Sequence, residues 1–139
     1  MTGVIVLSHG RLAEELVLAA QRILGPIERL EAVSIDWDLD VQDARRRIEE
    51  AIARVGGPGG SVLVLTDMFG GTPTNLAMSL LDPGRIEVVT GVNLPMLIKF
   101  ANLRGDGSLH DVAKRLAAQG RDSIQSASDL LEGDAGESR

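Results

Sequence analysis

The length, composition and charge of the chain exclude several kinds of protein. Its 139 residues suffice for one domain with a hydrophobic core, and without cysteine it can form no disulfide, thiolate zinc site or cysteine nucleophile. A net charge of −6, with one tryptophan, two phenylalanines and no tyrosine, argues against nucleic-acid binding.

The sequence also gives no indication of a membrane protein. No apolar run is long enough to span a bilayer. The N-terminus lacks a basic leader followed by a small-residue cleavage site, so we expect no signal peptide. These features favour a cytoplasmic protein without direct membrane insertion.

Strands and helices are predicted to alternate along most of the chain. Short segments rich in Val, Ile and Leu are typical of buried parallel strands: residues 4–7, 30–35, 62–65 and 86–89. Helices are predicted over residues 12–24, from Asp40 to Gly56, after Pro73, after Pro95 and over residues 109–119. This alternation predicts an α/β fold with an open, mostly parallel sheet and helices on both faces.

The C-terminal part of the chain has weaker patterns. Residues 123–128 alternate weakly between apolar and polar and could form a short edge strand. Residues 132–139 are small and polar, so we expect a disordered tail there and a single domain over residues 1–131.

His9 and Asp67 directly follow the first and third predicted strands, at the sheet edge where ligands of open α/β proteins bind. Neutral imidazole is a good nucleophile toward phosphorus, and the N-terminus of the following helix favours an anion beside it. If the two strands are neighbours, Asp67 can bond the other ring nitrogen and fix the tautomer. The alternative is that His9 is an incidental loop residue.

The segment Phe69-Gly70-Gly71-Thr72-Pro73 lies between a predicted strand and a predicted helix. Paired glycines let backbone amides approach a phosphate, and Thr72 can cap the helix that Pro73 begins. A tight turn with a helix cap would show the same pattern. No Gly-Lys-Ser/Thr follows the glycines, and the turn at His9 lacks Gly-x-Gly-x-x-Gly, so a tightly held nucleotide is disfavoured.

Three other residues are open to more than one interpretation. Asn93 follows the fourth predicted strand and is expected to tie neighbouring loops together. Trp37 lies in a polar loop after the second strand, where it can contact a partner or simply pack. His110 is expected to be a solvated surface residue in the first turn of a late helix.

Three motifs occur in order along the chain. They are Val4-Ile5-Val6-Leu7-Ser8-His9-Gly10, then Asp67-Met68-Phe69-Gly70-Gly71-Thr72-Pro73-Thr74-Asn75, then Gly91-Val92-Asn93-Leu94-Pro95-Met96-Leu97. Together they resemble the enzyme IIA domain of the mannose family of the bacterial phosphotransferase system, the mannose/fructose/sorbose class. The resemblance covers the chain up to the third motif, and the C-terminal portion only by length and helix placement.

The resemblance implies a phosphocarrier. His9 would accept phosphate from the small carrier HPr and pass it to an enzyme IIB protein, with Asp67 orienting its ring. The amides of Phe69, Gly70, Gly71 and Thr72 would receive the phosphate, and neither metal nor cofactor is implied. The family is dimeric, with an antiparallel C-terminal edge strand exchanged between subunits, a role that would fall on residues 123–128.

Several functions remain open beside transport of a sugar. A regulatory phosphotransfer protein and the phosphotransfer subunit of a dihydroxyacetone kinase would share these motifs. Enzyme IIA does not touch sugar, so the sequence does not indicate which sugar is carried. A receiver domain phosphorylated on Asp67 would need an acidic pair where Ser8-His9 stands. A flavin-binding module would need more aromatic residues than the chain contains.

Overall fold

A parallel sheet forms the centre of the molecule, and the helices that connect its strands pack on both faces. The computed structural model describes residues 1–103 and 107–137. The strands in this part of the chain are β1 (Gly3–His9), β2 (Leu30–Ile35), β3 (Val62–Thr66) and β4 (Ile86–Thr90). They are all parallel and lie in the order β2-β1-β3-β4. The predicted α/β architecture and its parallel sheet are confirmed.

The helices lie close to their predicted positions. They are α1 (Leu12–Leu24), α2 (Val41–Gly56), α3 (Gly71–Ser79), α4 (Leu94–Leu103), α5 (Leu109–Asp122) and α6 (Ala127–Glu137). Side-chain caps begin two of them as expected: Asp40 accepts the Gln42 amide for α2, and Ser108 accepts the Asp111 amide for α5. Among the described residues, no helix combines the length and hydropathy that crossing a bilayer requires.

Each face of the sheet has its own hydrophobic core. Alternate residues of a strand point to opposite faces, so Val4 and Val6 join one core while Ile5 and Leu7 join the other. Helices α1, α4 and α5 cover the first face, and α2 and α3 cover the second. Because both faces are buried, the central strands are apolar at nearly every position, which made them recognisable in the sequence.

The C-terminal segment differs from its prediction. Residues 123–128 form no strand in the single chain: Ser123 closes α5, and α6 already begins at Ala127. The hydroxyl of Ser123 bonds the Gln119 carbonyl, and the Ser126 carbonyl accepts the Leu130 amide, so both ends of this short link bond to helices. The tail expected from residue 132 starts inside α6, and residues 138 and 139 lie outside the described residues.

Candidate functional site

His9 and Asp67 lie side by side at the carboxyl edge of the sheet. His9 is the last residue of β1, and Asp67 directly follows β3, which is hydrogen-bonded to β1 with Leu7 opposite Thr66. The amide of Asp67 continues this pairing by donating to the Leu7 carbonyl over 3.2 Å. The neighbouring strands that the sequence analysis assumed are therefore observed, and they bring the two side chains together.

The contact between the two residues determines which ring nitrogen of His9 is available. Nδ1 lies 2.9 Å from Oδ2 of Asp67, and the backbone amide of His9 donates to the same oxygen over 3.0 Å. Since a carboxylate oxygen only accepts, the Nδ1 of a neutral ring must carry the proton. The lone pair of the neutral imidazole is then on Nε2, the nitrogen on the opposite edge of the ring.

Asp67 is held in its ionised form by its surroundings. Burial opposes its ionisation, but hydrogen bonds from the amide and ring of His9 and from the Met68 amide outweigh burial and lower the pKa of Asp67. The Met68 amide bonds Oδ1 over 3.0 Å, so both carboxylate oxygens have donors. A carboxylate engaged in this way is suited to orient His9 and poorly placed to act as a nucleophile, which argues against a receiver domain.

The N-terminus of α3 lies against the free edge of the His9 ring. A Cβ atom placed on Gly71, the first residue of α3, would lie 2.8 Å from Nε2 and 2.9 Å from Cε1. Gly70 and Gly71 have φ angles of 96° and 83°, which glycine adopts at little cost. Only glycine therefore fits against Nε2 at this point.

The start of α3 corrects one prediction. The helix begins at Gly71 with Gly70 as its N-cap, so Thr72 is an exposed residue of the first turn and not the cap. No side chain caps the helix. The first amides of an α-helix lack intrahelical partners and carry partial positive charge, so this end of α3 can receive an anion beside Nε2.

Buried hydroxyl groups hold the site in place, and the sequence analysis did not single them out. Ser8 accepts the Ala13 amide over 2.7 Å and so anchors the start of α1 beside His9. Thr74 donates to the Met68 carbonyl and lies 3.0 Å from the Thr66 hydroxyl. Polar residues at the ends of otherwise apolar strands, as Ser8 and Thr66 are, were the available signal.

Trp37 also belongs to the site. Its indole stacks on the imidazole of His9, with ring centroids 5.0 Å apart and an angle of 26° between the planes. The loop after β2 carries it there because β2 is the other neighbour of β1, with Ile35 opposite His9. Met68 and Phe69, which directly follow Asp67 in the loop after β3, are exposed apolar residues as well.

Asn93 and His110 lie outside the site. Asn93 donates to the Gly120 carbonyl and accepts the Met96 amide, both over 3.2 Å, so it joins α4 to α5, in agreement with the structural role expected for it. His110 is exposed on α5, with Nδ1 3.7 Å from Oε2 of Glu87, near the amino end of β4. It is a surface residue, as the sequence predicted.

Comparison with known proteins identifies relatives of the chain. The chain matches the family model of the PTS system fructose IIA component, EIIA-man, over residues 3–117. It is 32% identical over 133 residues to the fructose-specific EIIA component of Bacillus subtilis (strain 168), a match that covers 95% of this chain and 90% of that protein. It is 29% identical over 124 residues to the mannose-specific EIIAB component of Escherichia coli (strain K12), which covers 88% of this chain and 38% of that longer protein.

Solved structures of related proteins share the fold. The mannose/sorbose specific IIA subunit from Enterococcus faecalis superimposes with a TM-score of 0.81 at 28% identity, over 90% of this chain and 93% of that one. The EIIA component from Streptococcus agalactiae gives a TM-score of 0.82 at 24% identity, over 93% and 99%. The resemblance seen in the three sequence motifs is thus confirmed along nearly the whole chain. The chain belongs to the EIIA-man family and is a phosphotransferase component of the phosphotransferase system for sugar uptake.

Proposed function

We propose that His9 carries the phosphoryl group, accepting it on Nε2 from phosphorylated HPr and passing it to an enzyme IIB protein. One observation carries this proposal: the 2.9 Å contact between Nδ1 and Asp67 leaves Nε2 as the nucleophilic nitrogen, and Nε2 faces the start of α3. Enzyme IIA proteins of this family work with HPr and enzyme IIB, so donor and acceptor follow from the family.

The transfer moves one phosphoryl group between two nitrogens. The Nε2 lone pair forms the new P–N bond while the N–P bond of the donor breaks, and the bonding electrons stay on the donor nitrogen. The proton on Nδ1 stays in its hydrogen bond to Asp67, which stabilises the positive charge that the ring acquires. In such a loose transition state the protein contributes positioning and charge stabilisation.

The amides of Phe69, Gly70, Gly71 and Thr72 are proposed to receive the phosphoryl oxygens. Gly70 caps α3 without a side chain, which leaves the first helical amides for a ligand. The exposed position of Thr72 also allows its hydroxyl to reach an oxyanion. Binding at this end of the helix should be modest, because tight binding of the phosphoryl group would prevent its onward transfer.

The proposal includes a homodimer in which residues 123–128 of each subunit lie antiparallel to β4 of the other. β4 is an edge strand in the described sheet, and the exposed side chains of Ile124, Leu130 and Leu131 offer apolar surface beyond α5. Light scattering should give twice the chain mass, and a chain ending at Asp122 should be monomeric. A monomeric full-length protein would contradict the exchange.

The central test is an intact-mass measurement with phosphoenolpyruvate, enzyme I and HPr. We expect wild type and His110→Ala to gain one acid-labile phosphoryl group and His9→Ala to gain none. A wild-type protein that gains nothing, while a known acceptor in the same tube is labelled, would overturn the proposal. Label that persists in His9→Ala would move the site to another residue, Asp67 first.

A second measurement separates transport from regulation. Phosphorylated protein is mixed with the enzyme IIB proteins of the same organism, and loss of its phosphoryl group is followed by mass. Transfer to an enzyme IIB protein supports a role in sugar uptake. Transfer to none of them would favour the regulatory function or the dihydroxyacetone-kinase type.

A further inference from the structure

Asp67, Gly71 and Trp37 lie against the imidazole of His9, and the roles of the first two have been explained. Asp67 bonds one edge of the ring at Nδ1, and Gly71 lies against the other edge at Nε2. The third is the indole of Trp37, which lies on a face of the ring at a centroid distance of 5.0 Å. The edge contacts bear on rotation of the ring within its plane, whereas the indole restricts tilting out of that plane.

Packing into the core does not explain where Trp37 lies. Trp37 is 80% exposed, so most of its large apolar ring remains in contact with water, which is unfavourable. The indole Nε1 lies over Gly10, which is in the turn between β1 and α1. The contact with His9 is therefore the structural feature that distinguishes Trp37 from other exposed apolar residues.

We propose that Trp37 is a positioning residue for phosphoryl transfer, which holds the plane of the His9 ring and stabilises its positive charge. The inference rests on the proposed phosphorylation of His9. When Nε2 carries the phosphoryl group and Nδ1 keeps its proton, the imidazole ring bears a positive charge. An aromatic face at this distance attracts such a cation, and at an exposed site the attraction corresponds to about a twofold to fivefold effect.

The charge on the ring develops as the P–N bond forms and disappears as it breaks. Trp37 therefore stabilises the transition state for acceptance from HPr and the phosphorylated state itself. Because breaking the P–N bond removes that charge from the ring, stabilising the charge also slows spontaneous loss of the phosphoryl group to water. Loss of the indole should slow acceptance and shorten the lifetime of phosphohistidine.

A surface contact for HPr is the competing role for an exposed tryptophan, and kinetics distinguish the two. A residue that only docks the partner acts on binding, so its loss raises KM and leaves kcat unchanged. A residue that holds and stabilises the reacting ring acts after binding, so its loss lowers kcat. The second behaviour is the one that the stacked geometry predicts.

The test compares Trp37→Ala, Trp37→Phe and Ile23→Ala. Ile23 is an exposed apolar residue in the last turn of α1, so its truncation controls for loss of surface area away from the site. Initial rates of phosphorylation are measured over a range of phospho-HPr concentrations, and decay of the isolated phosphorylated protein is followed by mass. We expect Trp37→Ala to lower kcat about twofold to fivefold and to speed decay, Trp37→Phe to restore most of both, and Ile23→Ala to match wild type.

Tryptophan fluorescence supplies a readout of the contact itself. Trp37 is the only tryptophan in the chain, so emission should change when wild type is phosphorylated and should not change in His9→Ala. Unchanged emission, an unchanged kcat in Trp37→Ala, an effect on KM alone, or a Trp37→Phe as slow as Trp37→Ala would each overturn the proposal. Failure of the proposed function would show earlier and separately, as a wild type that takes no phosphoryl group, and this inference would fall with it.

Discussion

Two histidine–carboxylate pairs occur among the described residues, and one of them forms the candidate site. In the pair of His9 and Asp67 the nitrogen and oxygen are 2.9 Å apart, and the side chains are 20% and 10% exposed. In the pair of His110 and Glu87 the distance is 3.7 Å, and the side chains are 72% and 26% exposed. A histidine near a carboxylate is therefore not sufficient. The first pair differs by its short, partly buried contact and by the helix N-terminus at the other ring nitrogen.

The contribution of that helix N-terminus can be tested by substituting Gly71. Of the substitutions compared in these two pairs, this one is expected to reduce the rate of phosphoryl acceptance most. In Gly71→Ala the new Cβ would lie 2.8 Å from Nε2 of His9, so either the ring or α3 must shift. A displacement of the reacting group of about 1 Å can cost about 100-fold in rate. We expect a loss of this size in phosphoryl acceptance, measured as the initial rate of mass gain.

Gly84→Ala is the matched control for Gly71→Ala. Gly84 has a φ of 82°, close to that of Gly71, but a Cβ added there would meet nothing within 4 Å. Both variants should therefore carry a similar backbone strain, of about 1–2 kcal/mol, while only Gly71→Ala affects His9. Equal rates in the two variants would show that the close approach of α3 to Nε2 has no role in transfer.

The role of the carboxylate can be tested by neutralising it in each pair. Asp67→Asn keeps the shape of the side chain but removes the charge that bonds Nδ1, and a hydrogen bond to a charged group is worth about 1.5–3 kcal/mol. We expect phosphoryl transfer to slow about 10-fold to 100-fold, whereas Glu87→Gln should react like wild type. Equal rates in Asp67→Asn and wild type would mean that the two carboxylates do not differ in function.

Much of the first pair could be predicted from the sequence, because it depends on the sheet. Strands buried on both faces are apolar throughout, so β1 and β3 were recognisable, and with them the residues at their ends. Whether Asp67 meets His9 depends on the order of the strands, which no local pattern records. The structure supplied that order.

Details that depend on loop geometry were not predictable in the same way. Thr72-Pro73 looked like a cap followed by a first helical residue, yet α3 begins at Gly71. A proline at the third helical position costs little, because the first amides of a helix have no intrahelical partner. The stacking of Trp37 joins two loops without any periodic pattern, and the helix α6 after residue 126 was not expected from the polar, small residues of the C-terminus.

The smallest expected effect concerns stability against pH, where the ionisation of Asp67 can be measured without any partner protein. Burial opposes its ionisation, but the bonds from His9 and Met68 outweigh burial and lower the pKa of Asp67 below its unfolded value. Such a carboxyl contributes stability that is present above the unfolded pKa and is lost as pH falls through the folded pKa. The difference in free energy of unfolding between wild type and Asp67→Asn should therefore shrink as the pH is lowered from about 5 to about 3.

Urea denaturation at each pH measures this difference, and the same substitution in a His9→Ala background shows how much comes from the ring. There the backbone amide of residue 9 still donates to Asp67, but the bond from Nδ1 is gone. The pH-dependent part should be smaller in that background, because one of the donors that favour the carboxylate has been removed. A difference that is independent of pH in both backgrounds would mean that Asp67 stabilises the fold without its charge. The charge of Asp67 would then not be a property that distinguishes its pair with His9 from the pair of His110 and Glu87.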